Sequence, residues 1–391
     1  MNLVRQIETI MKSDGKDSPA WLWKGLTAIS FLYGRGVQLR TAAYNNKILK
    51  TKHLPCVVIS IGNLTVGGTG KTPLTIYMAQ VIQRLGYQLV ILSRGYGGSA
   101  EGSGGIVSDG QRIHMQADEC GDEPYMMAQR LRTVPIVVGK SRYQSGLMAV
   151  KRFRPDVILL DDAFQHRRLA RDLDLVLLDA AKPIGNGFLF PRGILREPIR
   201  SLKRSHAVIF TRTEKTALIS DKRVQPFLKT RPVFYAHHRP CLVKIMAHKP
   251  RSGIQTGSTR QKTGFDFLKG KQVLAFAGIA RNEDFFNMIP NMGCELSDVV
   301  SFSDHHRYSP DDIQRIQQTA VDRRVDCIVT TEKDFYRMSS MAGWPLDLVV
   351  MGVDIVFNES GFDAFMAERL TSLGSEKPLY KESPEWQKKK K

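Results

Sequence analysis

The sequence predicts an α/β protein: a P-loop NTPase-like domain with a mostly parallel sheet, a second, smaller α/β domain, and an N-terminal amphipathic membrane-associating helix. Three observations predict it. A continuous apolar run, Cys56 to Gly62 ("CVVISIG"), leads directly into a glycine-rich stretch, Asn63 to Pro73 ("NLTVGGTGKTP"). Short apolar runs then alternate with helical segments, the pattern of a parallel sheet covered on both faces. The alternation weakens across 213–265 and restarts at "KQVLAFAG" from Lys271, which divides the chain in two.

The N-terminal segment comes first. Ala20 to Leu39 carries Lys24 and Arg35 on one helical face and Leu22, Leu26, Ile29 and Tyr33 on the other. This reads as a helix lying in a membrane interface, with Trp21 and Trp23 at headgroup depth; a helix packed on the core has the same pattern. Residues 1–52 hold nine Lys/Arg against three acidic residues, a balance suited to anionic lipid. No run reaches the roughly 18 apolar residues of a spanning helix. The interrupted run and the lack of an A-x-A site argue against a cleaved signal peptide.

The α/β elements follow. Thr72 to Leu85 reads as a helix, with Pro73 near its start and Gly86 past its end. "QLVILS", "VPIVVG", "DVILLDD", "DLVLLDA" and "AVIFTR" read as strands, "EPYMMAQRL" and "RYQSGLMAVKRF" as helices. "RPVFYAHHRPCLVKIMAH" supplies two short strands, and the polar stretch after it a loop. A helix from Glu283 and the strand in "VDCIVTTEKD" belong to the second domain. The expected segments are therefore 1–52, membrane-associating; 53–228, P-loop domain; 229–265, hinge strands and polar loop; 266–375, second α/β domain, its final helix packing back on the first; and 376–391, a basic tail.

Composition narrows the function. A hydrophobic fraction of 42% over 391 residues fits globular domains and excludes disorder. A formal net charge of +19 attracts nucleic acid, anionic lipid or a phosphorylated substrate. Five scattered cysteines make no C-x-x-C pair, so neither a zinc site nor a disulfide framework is implied, and a reducing compartment follows.

Several stretches carry chemistry. A glycine-rich turn between strand and helix aims backbone N–H groups at phosphate oxygens. Here Thr65, Val66, Gly67, Gly68, Thr69 and Gly70 form the turn, Lys71 reaches the terminal phosphates, and the Thr72 hydroxyl suits Mg²⁺. Thr65 stands where the usual pattern has its first glycine. Asp161 and Asp162 end the run "VILLDD", the placement of carboxylates that order Mg²⁺; Asp179 in "DLVLLDA" competes as a single carboxylate. Asp122 and Glu123 open a helix, where they cap its N-terminus or take a proton from an alcohol nucleophile. Asp304, His305 and His306 form a polar loop or supply a His that pairs with a carboxylate across a cleft. Arg94, Arg142, His166, Arg167, Arg168, Arg192 and Arg196 are surface charges or neutralise transferring phosphate. Thr330 to Asp334 ("TTEKD") has the wrong spacing for a guanine-reading motif, which favours ATP over GTP.

Taken together, "IGNLTVGGTGKTP", "LSRGYGG", "GDEPYMMA", "DDAFQHRRLARDLDLVLLDA", "FPRGILREP", "FSDHHRY" and "VTTEKDFYRM" resemble the tetraacyldisaccharide 4′-kinase family of lipid A biosynthesis. The family's phosphate loop also lacks the first glycine. The resemblance implies two α/β domains joined by a strand hinge with the site in their cleft. It implies a monomer on the cytoplasmic face of the inner membrane of a Gram-negative bacterium, with no nucleic-acid partner. ATP and Mg²⁺ would serve to phosphorylate the 4′-hydroxyl of an acylated glucosamine disaccharide 1-phosphate. Carried onto this sequence, Asp122 is the base and His305 its partner from the other domain. Lys71, Asp162, Glu123 and Arg196 act beside them. The loop from Thr65 to Thr72 with Arg94, Gln165 and His166 holds nucleotide, and Thr72, Asp161, Asp162 and Glu197 hold the metal. The loop near 251–263 and the Lys-rich tail match no family pattern. A rival reading is a membrane-associated P-loop partition or positioning ATPase, but Val66 occupies the place of its second lysine. A nucleic-acid-binding ATPase rests on charge alone.

Overall fold

The computed structural model describes residues 3–12, 19–213, 221–248, 264–338 and 343–376. The 251–263 loop and the basic tail beyond Glu376 lie outside the described residues. The chain forms two compact units. One comprises Met1–Cys120, Met127–His238 and Ile355–Lys391; the other comprises Gly121–Met126 and Arg239–Asp354.

In the first unit, α1 (Leu3–Lys12) and α2 (Ala20–Asn45) precede β1 (Val57–Asn63) and α3 (Lys71–Arg84). Then come β2 (Leu89–Ser93), β3 (Gly105–Asp109), α4 (Ala117–Cys120), α5 (Asp122–Arg130, whose residues through Met126 cluster with the second unit), β4 (Pro135–Val138) and α6 (Arg142–Phe153). β5 (Val157–Leu160), β6 (Leu173–Asp179), β7 (Ala207–Thr211), α7 (Gln225–Leu228) and β8 (Val233–Met246) follow. The sheet order is β8-β7-β6-β1-β5-β2-β4-β3, with only β3 antiparallel to its neighbour. All seven positions of β1 are buried, as its unbroken apolar run requires of a central strand covered on both faces. β1 lies between β5 and β6. The residues that follow β1 and β5 therefore emerge side by side at the carboxyl ends of adjacent parallel strands, where α/β sheets place their ligands.

The N-terminal helix divides its apolar residues in a way the sequence pattern did not resolve. Leu22 and Leu26 are buried in a small cluster with Ile10, against which Trp23 packs. Ser30 and Gly34 continue that stripe one turn at a time, and the Ser30 hydroxyl donates to the Leu189 carbonyl at 2.7 Å. Ile29, expected on the same face as Leu22, is exposed. So are Trp21 (69%), Phe31 (65%) and Leu32 (69%). One stripe is protein-facing, and a second apolar set remains outside it. Among the described residues no helix is long and apolar enough to cross a membrane.

In the second unit, β9 (Gln272–Ala277), α8 (Asn282–Met288), β10 (Glu295–Ser301), α9 (Pro310–Asp322), β11 (Cys327–Thr331), α10 (Glu332–Arg337) and β12 (Asp347–Phe357) build a parallel sheet in the order β10-β9-β11-β12. Two apolar clusters cover its faces, one around Phe285, Ile289 and Val329, the other around Phe276, Ile316 and Val350. α9 begins with a capping box in which Ser309 and Asp312 satisfy each other's backbone N–H groups.

The unit boundary falls inside β8, after His238, and inside β12, after Asp354. The two short strands expected at 231–248 are thus one strand of 14 residues. Pro240 lies inside this strand, just past the boundary. After β12 the chain returns to the first unit as α11 (Gly361–Glu376). There Asp363 accepts a 2.6 Å hydrogen bond from Tyr77 of α3, and Phe362 stacks on Phe357 with centroids 3.9 Å apart.

Candidate active site

The phosphate loop is shaped by its glycines. Gly67 and Gly70 have φ of +103° and +87°, a region glycine enters without steric cost. Gly70 also caps α3 and lies against the His238 ring, with no room for a Cβ. Thr65 needs no such freedom. It is paired as an antiparallel bridge with Leu195, flanked by Val66 N–H to Ile194 carbonyl and Arg196 N–H to Leu64 carbonyl, both at 2.7 Å. The missing first glycine is therefore an extended residue stitched to the segment that carries Arg196. The loop is further held by Asn63, which donates to Thr69 Oγ1 at 3.1 Å, and by Gln165, which donates to the Asn63 carbonyl at 2.8 Å.

The acidic pair after β5 splits its work. Asp161 is buried, with Oδ1 accepting from Thr75 at 3.0 Å and Oδ2 from Ser93 at 3.3 Å. Asp162 has φ of +46°, an unfavourable conformation for a side-chain-bearing residue that is kept where a site requires it. It lies 3.6 Å from Lys71 Nζ and 3.0 Å from Arg196 Nη1. Glu197 is buried and paired with Arg204 at 2.7 Å. Arg94 is held by Glu101 at 2.6 Å. Burial, reinforced by the cations of Arg142, Arg40, Arg94 and Arg171, pulls the His166 pKa down to about 4, so this ring is neutral at neutral pH. Arg142 is buried, donating to the carbonyls of Gly139 (2.8 Å) and Asp161 (3.4 Å). The structure thus gathers Lys71, Asp162 and Arg196 directly, with Thr72 and Asp161 at the adjoining ends of α3 and β5.

Asp179, discounted as a lone carboxylate, holds Arg212 at 2.9 Å, and Arg212 donates to the Gly68 carbonyl at 3.0 Å. Thr211 donates to the Thr69 carbonyl at 3.0 Å. The end of β7 is therefore a buttress of the phosphate loop. Its sequence signal was only an Asp and a Thr-Arg closing two apolar runs.

Asp122 and Glu123 belong to the second unit, since Gly121–Met126 clusters with it. Sequence reasoning placed Asp122 in the first domain and its His partner in the second; the structure has both in one unit. His305 Nδ1 lies 3.3 Å from Asp122 Oδ2, and the Arg337 Nε donates to the same oxygen at 2.7 Å. Burial raises the Asp122 pKa, but the His305 hydrogen bond and the Arg337 charge outweigh it and hold the carboxyl below its ordinary value. The Asp122 hydrogen bond raises the His305 pKa against burial. His305 has φ of +58°. His306 turns elsewhere, to Asp312 at 2.9 Å. Lys333 pairs with Glu123 at 2.5 Å. Neither Lys333, weighed only in the rejected guanine-reading motif, nor Arg337 was assigned to the site from the sequence. Their signal was a spacing of four, which aligns them on one helical face.

Magnesium takes oxygen donors and usually only one or two carboxylates, with phosphate oxygens and waters completing its shell. The Thr72 hydroxyl and the carboxylates of Asp161 and Asp162 fit that preference. Among the described residues no group of three or more His, Cys, Asp or Glu gathers as a metal cluster.

A glycine-rich loop running from a central strand into a helix, with an acidic pair closing the neighbouring strand, defines a P-loop phosphotransferase-type protein. Comparison with known proteins resolves the class further. The family model described as tetraacyldisaccharide-1-P 4′-kinase matches residues 22–371, and the chain belongs to that family. It is 39% identical over 370 residues to a tetraacyldisaccharide 4′-kinase of Desulfatibacillum aliphaticivorans, covering 94% of this chain and 98% of the relative. A tetraacyldisaccharide 4′-kinase of Syntrophus aciditrophicus is 38% identical, covering 88% and 92%. The crystal structure of LpxK from Aquifex aeolicus in complex with ATP is similar in fold, with a TM-score of 0.68, 29% identity and coverage of 89% of this chain and 99% of that one.

Proposed function

We propose that the chain transfers the γ-phosphate of ATP to the 4′-hydroxyl of a tetraacyl glucosamine disaccharide 1-phosphate, acting as a peripheral monomer at the cytoplasmic face of a Gram-negative inner membrane. Family membership supports the reaction. The observation that carries the chemistry is Asp122: His305 and Arg337 converge on its Oδ2, and Oδ1 takes part in neither contact. An ATPase needs no carboxylate dedicated to an alcohol; a kinase does.

The phosphate loop and Lys71 hold the triphosphate. In-line transfer requires the sugar hydroxyl, held at Asp122, to meet that γ-phosphate. Asp122 Oδ1 accepts the hydroxyl proton as the sugar oxygen bonds to phosphorus, while the bond from phosphorus to the β–γ bridging oxygen breaks and ADP leaves. His305 supports the protonated pair. Arg196 and Lys71 offset charge on the transferring group. Thr72, Asp161 and Asp162 would hold Mg²⁺, with Glu197 behind them; the cation would neutralise charge on the β- and γ-phosphates. The exposed apolar residues of α2 would meet the bilayer that holds the acyl chains, and the basic N-terminal segment its anionic headgroups.

Incubation with γ-labelled ATP and a panel of acylated disaccharide phosphates tests the reading. Label should appear at the 4′ position of the lipid. Lipid-independent ATP hydrolysis with no labelled lipid would refute it.

A further inference from the structure

Thr330 to Asp334 has the wrong spacing for a guanine-reading motif, yet α10, which begins within it, delivers two cations to two consecutive carboxylates. Lys333 and Arg337, one helical turn apart on α10, pair with Glu123 at 2.5 Å and with Asp122 at 2.7 Å. Arg337 is itself anchored. Its Nη1 donates to Asp334 Oδ1 at 3.0 Å and to the Gly278 carbonyl at 2.7 Å. Asp334 is 0% exposed, and its Oδ2 accepts from Thr331 Oγ1 at 2.6 Å and from the Gly278 N–H at 3.1 Å. The Arg337 side chain is only 5% exposed. Its planar fork therefore spans from a buried carboxylate to the candidate base, a geometry that a point-charge lysine does not reproduce.

We propose that Arg337 is the positioning residue of the base: clamped by Asp334 and Gly278, it fixes Oδ2 of Asp122 and so presents Oδ1 to the acceptor hydroxyl, while Lys333 steadies Glu123 beside it. This rests on Asp122 being the base. The charged and titratable groups around Asp122 are its neighbour Glu123, His305 from the loop after β10, Lys333 and Arg337 from α10, and Asp304, which lies 3.9 Å from His305. The Arg337 cation favours ionised Asp122. The base acts as carboxylate, so loss of the cation raises its pKa and moves the acidic fall in rate to higher pH.

The test is steady-state kinetics of the full chain on detergent-dispersed tetraacyl disaccharide 1-phosphate, across pH. Arg337→Gln alone leaves Asp334 a buried charge without its cation, so it is made together with Asp334→Asn. That double variant should lose on the order of 10²-fold in kcat, keep its KM for ATP within about twofold, and shift the acidic limb up by about one pH unit. Arg337→Lys keeps the charge and loses the fork. It should lower kcat roughly 10-fold with the acidic limb in place. Asp122→Asn separates the two claims. If it turns over normally, the base assignment falls and the positioning role with it. If it is inactive while both Arg337 variants keep the wild-type pH profile and kcat, only the positioning role is overturned. A fall in kcat matched by lower thermal stability with no movement of the acidic limb in the double variant also overturns it, since that pattern marks a purely structural arginine.

Discussion

The Lys71 ammonium lies 3.6 Å from Oδ2 of Asp162, tying the first residue of α3 to the end of β5. Arg196 reaches both oxygens of the same carboxylate, at 3.1 and 3.0 Å. A phosphate contact at Lys71 would have to displace Asp162, whose carboxylate would keep its Arg196 partner. Lys71→Ala should lower turnover on the order of 10²-fold or more, because positioning and charge stabilisation supply most of phosphoryl-transfer catalysis. A folded Lys71→Ala variant with wild-type rates of label transfer would remove this loop from the active site.

Asp122 and His305 should behave as one unit. Asp122→Ala should lower kcat roughly 10²- to 10⁴-fold, the range of general-base catalysis, with ATP affinity nearly intact. His305→Ala should cost less, and the double variant little more than Asp122→Ala. His306 pairs with Asp312 of the α9 capping box, so His306→Ala should lower the melting temperature and spare turnover. Additive losses at 122 and 305, or a larger effect at 306, would break the pairing.

The same pair gives stability a pH dependence of known sign. The folded pKa of His305 is raised above its ordinary 6.5. Its contribution is present in full below that ordinary value and is lost as pH rises through the raised folded value. The melting-temperature difference between wild type and His305→Ala should therefore shrink from pH 6 to higher pH. A difference that grows with pH would mean that His305 is not held by Asp122.

Arg212 should set affinity for nucleotide. It joins Asp179 to the Gly68 carbonyl, with φ of +64° at its own position. Arg212→Ala frees the phosphate loop and should raise KM for ATP by about tenfold, one charge-assisted hydrogen bond's worth. Asp179→Asn should act in the same direction with a smaller size. Unchanged ATP binding by calorimetry in both variants would refute the buttress.

The two faces of α2 should separate experimentally. Trp21, Phe31 and Leu32 are exposed, whereas Tyr33 donates to the Arg196 carbonyl at 2.8 Å and Arg40 to the Gln165 carbonyl at 3.2 Å. Replacing Trp21, Phe31 and Leu32 together by serine should weaken sedimentation with anionic vesicles by roughly tenfold or more and leave ATP affinity alone. Tyr33→Phe should leave sedimentation alone and lower kcat a few-fold through the Arg196 segment. Deleting residues 1–40 should do both. Equal vesicle binding by the serine variant would place the membrane contact elsewhere.

Local pattern was enough for β1, α3, α6 and the acidic pair, because each is written within a dozen consecutive residues: an unbroken apolar run, a glycine turn, a Pro near a helix start, carboxylates at a strand's end. The family, too, was legible, since its motifs are short and ordered along the chain. What the sequence could not determine depends on partners distant in the chain. Thr65 replaces a glycine because Leu195 pairs with it, 130 positions away in sequence. Leu22 and Leu26 are separated from Ile29 because Ile10 and the stretch around Leu189 cover one stripe of α2 and not the other. β8 runs through Pro240 as one strand across the point where the chain changes units. Asp122 shares a unit with His305 because α10, whose cations sit four residues apart, binds its carboxylate from more than 200 positions downstream. Ion pairs and hydrogen bonds of this kind stabilise only when folding brings their ends together, so one-dimensional periodicity holds no record of them.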